Sequence, residues 1–179
     1  MEPIHDLLHK RYSPRAFAET AVPRDTVRSL LEAARWAPSS YNEQPWRFII
    51  ATKDDADGYE RLLRCLVPGN QDWAKTAPVL ILSVARATFS RNDKPNRHAL
   101  HDVGLAVSQL IIEASARGLQ AHQMAGFDVV KARETYGIPD GFDPVAVMAL
   151  GHSAEDTPSS RNRKPQDEIA FAGAWGQAY

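Results

Sequence analysis

Between Pro78 and Ala85 the chain reads Pro-Val-Leu-Ile-Leu-Ser-Val-Ala, an almost unbroken apolar run. Successive side chains of a strand point to opposite faces, so a strand this uniformly apolar must be covered on both. The remaining sequence supplies the covering. Ile4, Leu7, Leu8 and Arg11 follow helical spacing over Pro3 to Lys10, and Val27, Leu30, Leu31 and Ala34 form an i, i+3, i+4, i+7 stripe behind Pro23. The longest helix is expected from Arg97 to Arg117, with Leu100, Val103, Gly104, Val107, Leu110, Ile111 and Ala114 on one face and Gly118 ending it. A short helix is expected over Tyr59 to Leu66, broken by Pro68-Gly69-Asn70, and another from an Asp128 N-cap to Tyr136, stopped by Gly137. Trp46 to Thr52, Leu119 to Met124 and Pro144 to Leu150 are the further strands, and Arg86 to Asn96, polar and containing Pro95, reads as a mobile loop. Helices packed around a small sheet are the expected architecture.

Composition narrows the function classes. A net charge of −1 with 44% hydrophobic and 24% charged residues suits a globular domain and provides no electrostatic footprint for nucleic acid. The lone Cys65 excludes an intrachain disulfide and a thiolate metal site. No basic-then-apolar leader opens the chain and no apolar run approaches membrane-spanning length, so a soluble, cytoplasmic protein is expected. The six histidines show no H-E-x-x-H pattern and read as surface residues; no metal is expected. G-x-S-x-G, G-x-G-x-x-G and Walker loops are absent. Asp102, on the apolar helix, needs a partner if it is buried. The tryptophans Trp36, Trp46 and Trp73 suit a core or an interface.

Three polar features remain. Pro38-Ser39-Ser40-Tyr41-Asn42-Glu43-Gln44-Pro45 is a short loop, barred from helix by its prolines and rich in hydroxyls and amides. Arg11, Ser13 and Arg15 form a basic cluster near one end of the chain, and Arg161, Arg163 and Lys164 a second near the other. Guanidinium groups match phosphate oxygens bidentately, so the two clusters could form one phosphate clamp if they meet; solvated charges are the alternative. With no acid/base or nucleophile set evident, these features suit a protein that holds a phosphorylated organic cofactor and leaves the chemistry to it. After Gly151 the chain is polar and Pro-punctuated, then ends with Phe171 and Trp175; it reads as an arm (153–179) attached to a domain (1–152), docked on another subunit or on its own domain.

Arg11-Tyr12-Ser13-Pro14-Arg15 resembles the R-x-S-x-[KR] opening of the nitroreductase family of FMN-dependent oxidoreductases, and Pro38 to Trp46 resembles that family's P-S-S-x-N-x-Q-P-W signature. Asn70, Gly126-Phe127-Asp128, Gly151-His152 and Arg161-Asn162-Arg163-Lys164-Pro165 match in order. The resemblance implies an α+β fold with a central mixed, largely antiparallel sheet flanked by helices, and a C-terminal arm exchanged in a homodimer with FMN at the interface. It implies that Arg11, Tyr12, Ser13, Arg15, Arg161 and Arg163 bind the phosphate end. Pro38, Ser39, Ser40 and Asn42 would contact the flavin from the other subunit, Asn70 its pyrimidine edge, and the Ala125 and Gly126 amides N5 and O4. The implied activity is ping-pong transfer of electrons from NAD(P)H to a nitroaromatic, quinone or activated alkene, with no catalytic side chain. The sequence departs from many members at Ala125, where they carry Glu, at Trp73, where they carry a basic residue, and in the short Arg86–Asn96 segment, where longer members insert helices. The Ala125 departure supports a competing reading, a flavin-binding protein without turnover.

Overall fold

The computed structural model describes residues 3–158 and 161–179, so Ser159 and Ser160 of the expected arm lie outside it. Four strands form one sheet in the order β1-β2-β4-β3: β1 Trp46–Thr52, β2 Val79–Arg86, β3 Gln120–Met124 and β4 Phe142–Gly151. All three pairings are antiparallel, so the sheet expected to be largely antiparallel is wholly so among the described residues. The apolar run at Val79 occupies an interior position, between β1 and β4.

Both faces of that strand are covered. Val79, Ile81 and Ala85 pack with Leu30, Ala34, Val103 and Leu110 from helices α2 (Arg24–Arg35) and α5 (Ala99–Ala116). Leu80, Leu82 and Val84 pack on the other side with Leu62, Ala74 and Ala132, from α3 (Ala56–Leu63), α4 (Pro68–Ala74) and α6 (Val129–Tyr136). A short helix, α1 (Asp6–Lys10), precedes the basic Arg11–Arg15 segment. Helix ends follow their sequence signals. The Asp128 carboxylate accepts from the Lys131 amide at 2.9 Å, and Gly137 closes α6 at φ 57°. Gly118, at φ 75°, closes α5 in a Schellman motif: its amide bonds Ser115 O, and the Leu119 amide bonds Ala114 O.

Two local expectations are corrected, and the Arg86–Asn96 loop gains a defined shape. Pro68-Gly69-Asn70 begins α4 instead of breaking a helix, because proline at the first helical position gives up an amide that would be unpaired anyway. On α5, Leu100 faces out at 61% exposure, while Asp102 at 2% faces in; a hydrogen bond draws the carboxylate inward. Arg86–Asn96 is a compact hairpin: Phe89 donates to Lys94 O, Asp93 to Phe89 O and Asn96 to Ala87 O, all at 2.8–2.9 Å.

The tail begins against its own domain. Phe17 and Ser153 form a bridge, and Ala154 donates to Ala16 O. The rings of Phe171 and Trp175 meet at a tilt, 4.9 Å apart, in a small turn beyond, with Trp175 and Tyr179 exposed. Among the described residues no helix is long and apolar enough to cross a membrane.

Leu110 is fully buried between α5 and the sheet. Leu110→Ala should lower stability in urea denaturation by about 2–5 kcal/mol, the range for a buried leucine whose cavity does not collapse.

Candidate functional site

The two basic clusters meet. The Arg161 guanidinium donates through both terminal nitrogens to the carbonyls of Arg11 and His9, which seats the tail on the end of α1. Burial first, then the charges of Arg161 and Arg163, holds the Arg11 guanidinium below its ordinary range. Arg11 also donates to Ser13 Oγ at 3.3 Å. Among the described residues none of the guanidinium groups of Arg11, Arg15, Arg161 and Arg163 makes an ion pair, and the one carboxylate bonded to the segment, Glu155, takes the Arg15 amide.

What positions this segment is β3, which no motif pointed to. Gln120 accepts from the Tyr12 amide at 3.1 Å and donates to Lys10 O at 3.2 Å. His122, two residues on and on the same face, bonds Pro14 O through Nδ1 at 2.9 Å, so this nitrogen carries the proton. Its ring lies against Trp73 at 4.5 Å. The Tyr12 hydroxyl donates to Glu155 O at 2.8 Å, and the Glu155 carboxylate accepts from the Arg15 amide. Nothing in the Gln120-Ala121-His122-Gln123-Met124 pattern singles out Gln120 and His122, because Gln123 breaks the alternation of polar and apolar residues.

At the far end of β3 lie Ala125 and Gly126, and Asn70 of α4 meets them. Asn70 Nδ2 donates to Gly126 O at 3.0 Å, and the Val67 amide donates to the same carbonyl. A Cβ at Gly126 would sit 2.7 Å from Asn70 Nδ2, so any other residue would push the end of the Asn70 side chain from this position. Among the described residues the amides of Ala125 and Gly126 donate to no carbonyl, carboxylate or hydroxyl.

The Pro38–Pro45 loop stands apart from both groups. Tyr41, Asn42 and Gln44 have φ of 53°, 56° and 52°, a left-handed backbone that asparagine tolerates and that costs Tyr41 and Gln44 about 1–2 kcal/mol each. The shape is held from inside: Ser39 Oγ accepts from the Gln44 amide at 3.0 Å, and Asp102 Oδ2 accepts from the Ser40 amide at 2.9 Å. His101 Nδ1 lies 3.0 Å from the other Asp102 oxygen. Pro38 and Asn42 remain exposed, with Ser39 and Ser40 half-buried. In one protomer this loop enters β1 at one edge and end of the sheet, whereas the basic cluster sits beside the start of β3, at the opposite edge and end. Three inter-strand spacings alone separate the edges by about 14 Å.

Of the three tryptophans expected in a core or an interface, Trp46 is buried and Trp73 half-buried, but Trp36 is 74% exposed beside a groove of about 610 Å³ between α2 and α5. The thiol of Cys65 is buried, which pushes its pKa up and makes it a poor nucleophile.

These features define an α+β protein with a preassembled cation cluster and a rigid polar loop. The chain belongs to the nitroreductase family, whose model matches residues 8–152. It superposes with a TM-score of 0.91 on a crystal structure described as an oxidoreductase containing FMN, at 34% identity, covering 98% of this chain and 94% of that one. It is 37% identical over 146 residues to an uncharacterized 15.4 kDa protein of Mycolicibacterium smegmatis, covering 73% of this chain and 97% of that protein. A protein of Thermus thermophilus named NADH dehydrogenase is 29% identical over 90% of this chain and 92% of its own length.

Asp102→Ala should leave the half-buried Ser40 amide unpaired and cost about 1–3 kcal/mol in urea denaturation. Hydrogen exchange should show the Ser40 amide losing protection in that variant and keeping it in Leu100→Ala, which removes only an exposed side chain from the same helix.

Proposed function

We propose that this protein is an FMN-dependent oxidoreductase that takes electrons from NAD(P)H and passes them, in a ping-pong cycle, to an electron-poor acceptor such as a nitroaromatic, a quinone or an activated alkene. The observation that carries the reading is the gathering of Arg11, Arg161 and Arg163, none of whose guanidinium groups is ion-paired among the described residues. Guanidinium groups held together against their own repulsion suit a multiply charged anion, and Ser13 adds a hydroxyl to the set. The residues present fit FMN in a second respect. Five strand residues, about 16 Å, separate the head of β3 at the cation cluster from the free Ala125 and Gly126 amides, the scale of a phosphorylated flavin.

Bound FMN would supply the hydride and electron chemistry; the protein would hold and orient it. Arg11, Arg15, Ser13, Arg161 and Arg163 would hold the phosphate, with Tyr12 fixing the segment through Glu155. Asn70 would present its free carbonyl oxygen to the pyrimidine edge while its amide stays on Gly126 O. The Ala125 and Gly126 amides would donate to the ring where negative charge develops on reduction. The Pro38, Ser39, Ser40 and Asn42 wall would come from a second copy, because in one protomer it lies across the sheet from the cluster. A homodimer agrees with the exposed Trp36, Trp175 and Tyr179, an unusual apolar load for a free surface. In that dimer the tail beyond Arg163 would reach the partner.

The purified protein should be yellow, or become so on adding FMN; a protein that stays colourless and binds no FMN would overturn the reading. Arg11→Ala and Arg163→Ala should each weaken FMN binding by about tenfold while leaving riboflavin, which lacks the phosphate, nearly unchanged, as measured by flavin fluorescence titration. Stopped-flow bleaching by NADH or NADPH separates the enzyme from a flavin-binding protein without turnover, the alternative favoured by the small, exposed Ala125 beside the free amides.

A further inference from the structure

The Arg86–Asn96 hairpin leans on the Pro38–Pro45 loop through three side-chain contacts, besides the backbone bond from the Arg86 amide to Pro45 O at 2.8 Å. Glu43 accepts from the Ser90 amide at 2.7 Å and from the Ser90 hydroxyl at 3.1 Å, one carboxylate oxygen each. The rings of Tyr41 and Phe89 meet edge to face at 5.9 Å. The guanidinium of Arg91 lies over the Tyr41 ring, 4.2 Å from its centre, and 5.4 Å from the centre of Phe89.

The charges around Arg91 are not balanced. The hairpin carries Arg86, Arg91 and Lys94 against one acid, Asp93, and that acid pairs with Arg86 at 3.1 Å. Glu43 spends both oxygens on Ser90. Among the described residues Arg91 makes no ion pair and no hydrogen bond; the aromatic rings alone hold it. A guanidinium stacked on a ring face keeps its N–H donors directed outward along its edge, free to take an oxyanion bidentately. Tyr41 beneath it is 75% exposed and sits between Ser40 and Asn42, two residues of the wall assigned above to the flavin.

We propose that Arg91, braced on Tyr41 and Phe89, is a specificity-determining residue that selects planar acceptors bearing a carboxylate or another oxyanion. The inference rests on the proposed function and names the substrate class for that site. The ring of such an acceptor stacks beside Tyr41, and its anionic substituent takes the free edge of Arg91. For a nitroaromatic acid the balanced step is a hydride from NAD(P)H and a proton from solvent consumed together, with the nitro group losing one oxygen as water to become nitroso.

The test uses the FMN-loaded protein with 4-nitrobenzoate and 4-nitrobenzamide, which share ring and nitro group and differ in charge. The ratio of kcat/KM for the acid over the amide should fall about tenfold in Arg91→Gln, the scale of one charge-assisted hydrogen bond, and recover in part in Arg91→Lys. The amide value and the bound FMN should be unchanged. The oxyanion could instead be the extra phosphate of NADPH, so the NADPH to NADH ratio of flavin reduction rates is measured in the same variants and should not move. An acid-to-amide ratio unaltered in Arg91→Gln overturns the inference while leaving the oxidoreductase reading intact, as does a change confined to the nicotinamide ratio. A wild-type protein that reduces neither compound nor a quinone overturns the oxidoreductase reading, and this inference with it.

Discussion

Arg11, Arg161 and Arg163 repel one another, and much of the surrounding architecture serves to hold them together. The restraint comes from the backbone. Arg161 is anchored on the carbonyls of His9 and Arg11, and Gln120 grips the same stretch through Lys10 and Tyr12. Carbonyl oxygens orient a guanidinium without neutralising it, so the site keeps its positive potential. An anion entering it turns mutual repulsion into shared attraction, and any free energy of that binding is added to the stability of the folded chain. The segments that make the cluster lie far apart in sequence, so the same ligand would tie both to the edge of the sheet.

The sheet was legible because the constraint on it is local. A strand like Val79–Arg86, apolar at almost every position, allows one environment, and the structure supplies it on both faces. Helix ends marked by Asp128, Gly137 and Gly118 were legible for the same reason, since each is a local hydrogen-bonding or backbone requirement. What escaped depends on neighbours distant in sequence. Pro68 can end one helix or begin another, and the burial of Ala74 decides it. Leu100 leaves its expected inward side, and Asp102, whose side the sequence left open, turns inward because the Ser40 amide, far away in the chain, provides the carboxylate with its partner.

The same division runs through the candidate site. The contiguous Pro38–Trp46 element and the basic clusters could be picked out from residue types alone. Gln120 and His122 could not, since their importance lies in the backbone atoms they hold. The loop adds a third kind of information, conformational rather than chemical. Left-handed backbone at Tyr41 and Gln44 is unfavourable in isolation and persists because Ser39 and Asp102 hold it in place. Such a loop has its shape before any ligand arrives, so little ordering entropy is lost when one binds.

Asp102 tethers the loop at the first turn of α5, while the last turn of α5 leads through Gly118 into β3 and its grip on the basic segment. The helix has 18 residues, about 27 Å at the usual rise, so it acts as a ruler between two half-sites. In the proposed dimer each half-site is completed by the opposite half from the partner. A protomer ruined in the loop and a protomer ruined in the cluster, neither able to build a whole site with its own kind, would then complement each other. Their mixed dimer would contain one intact site and one doubly damaged one.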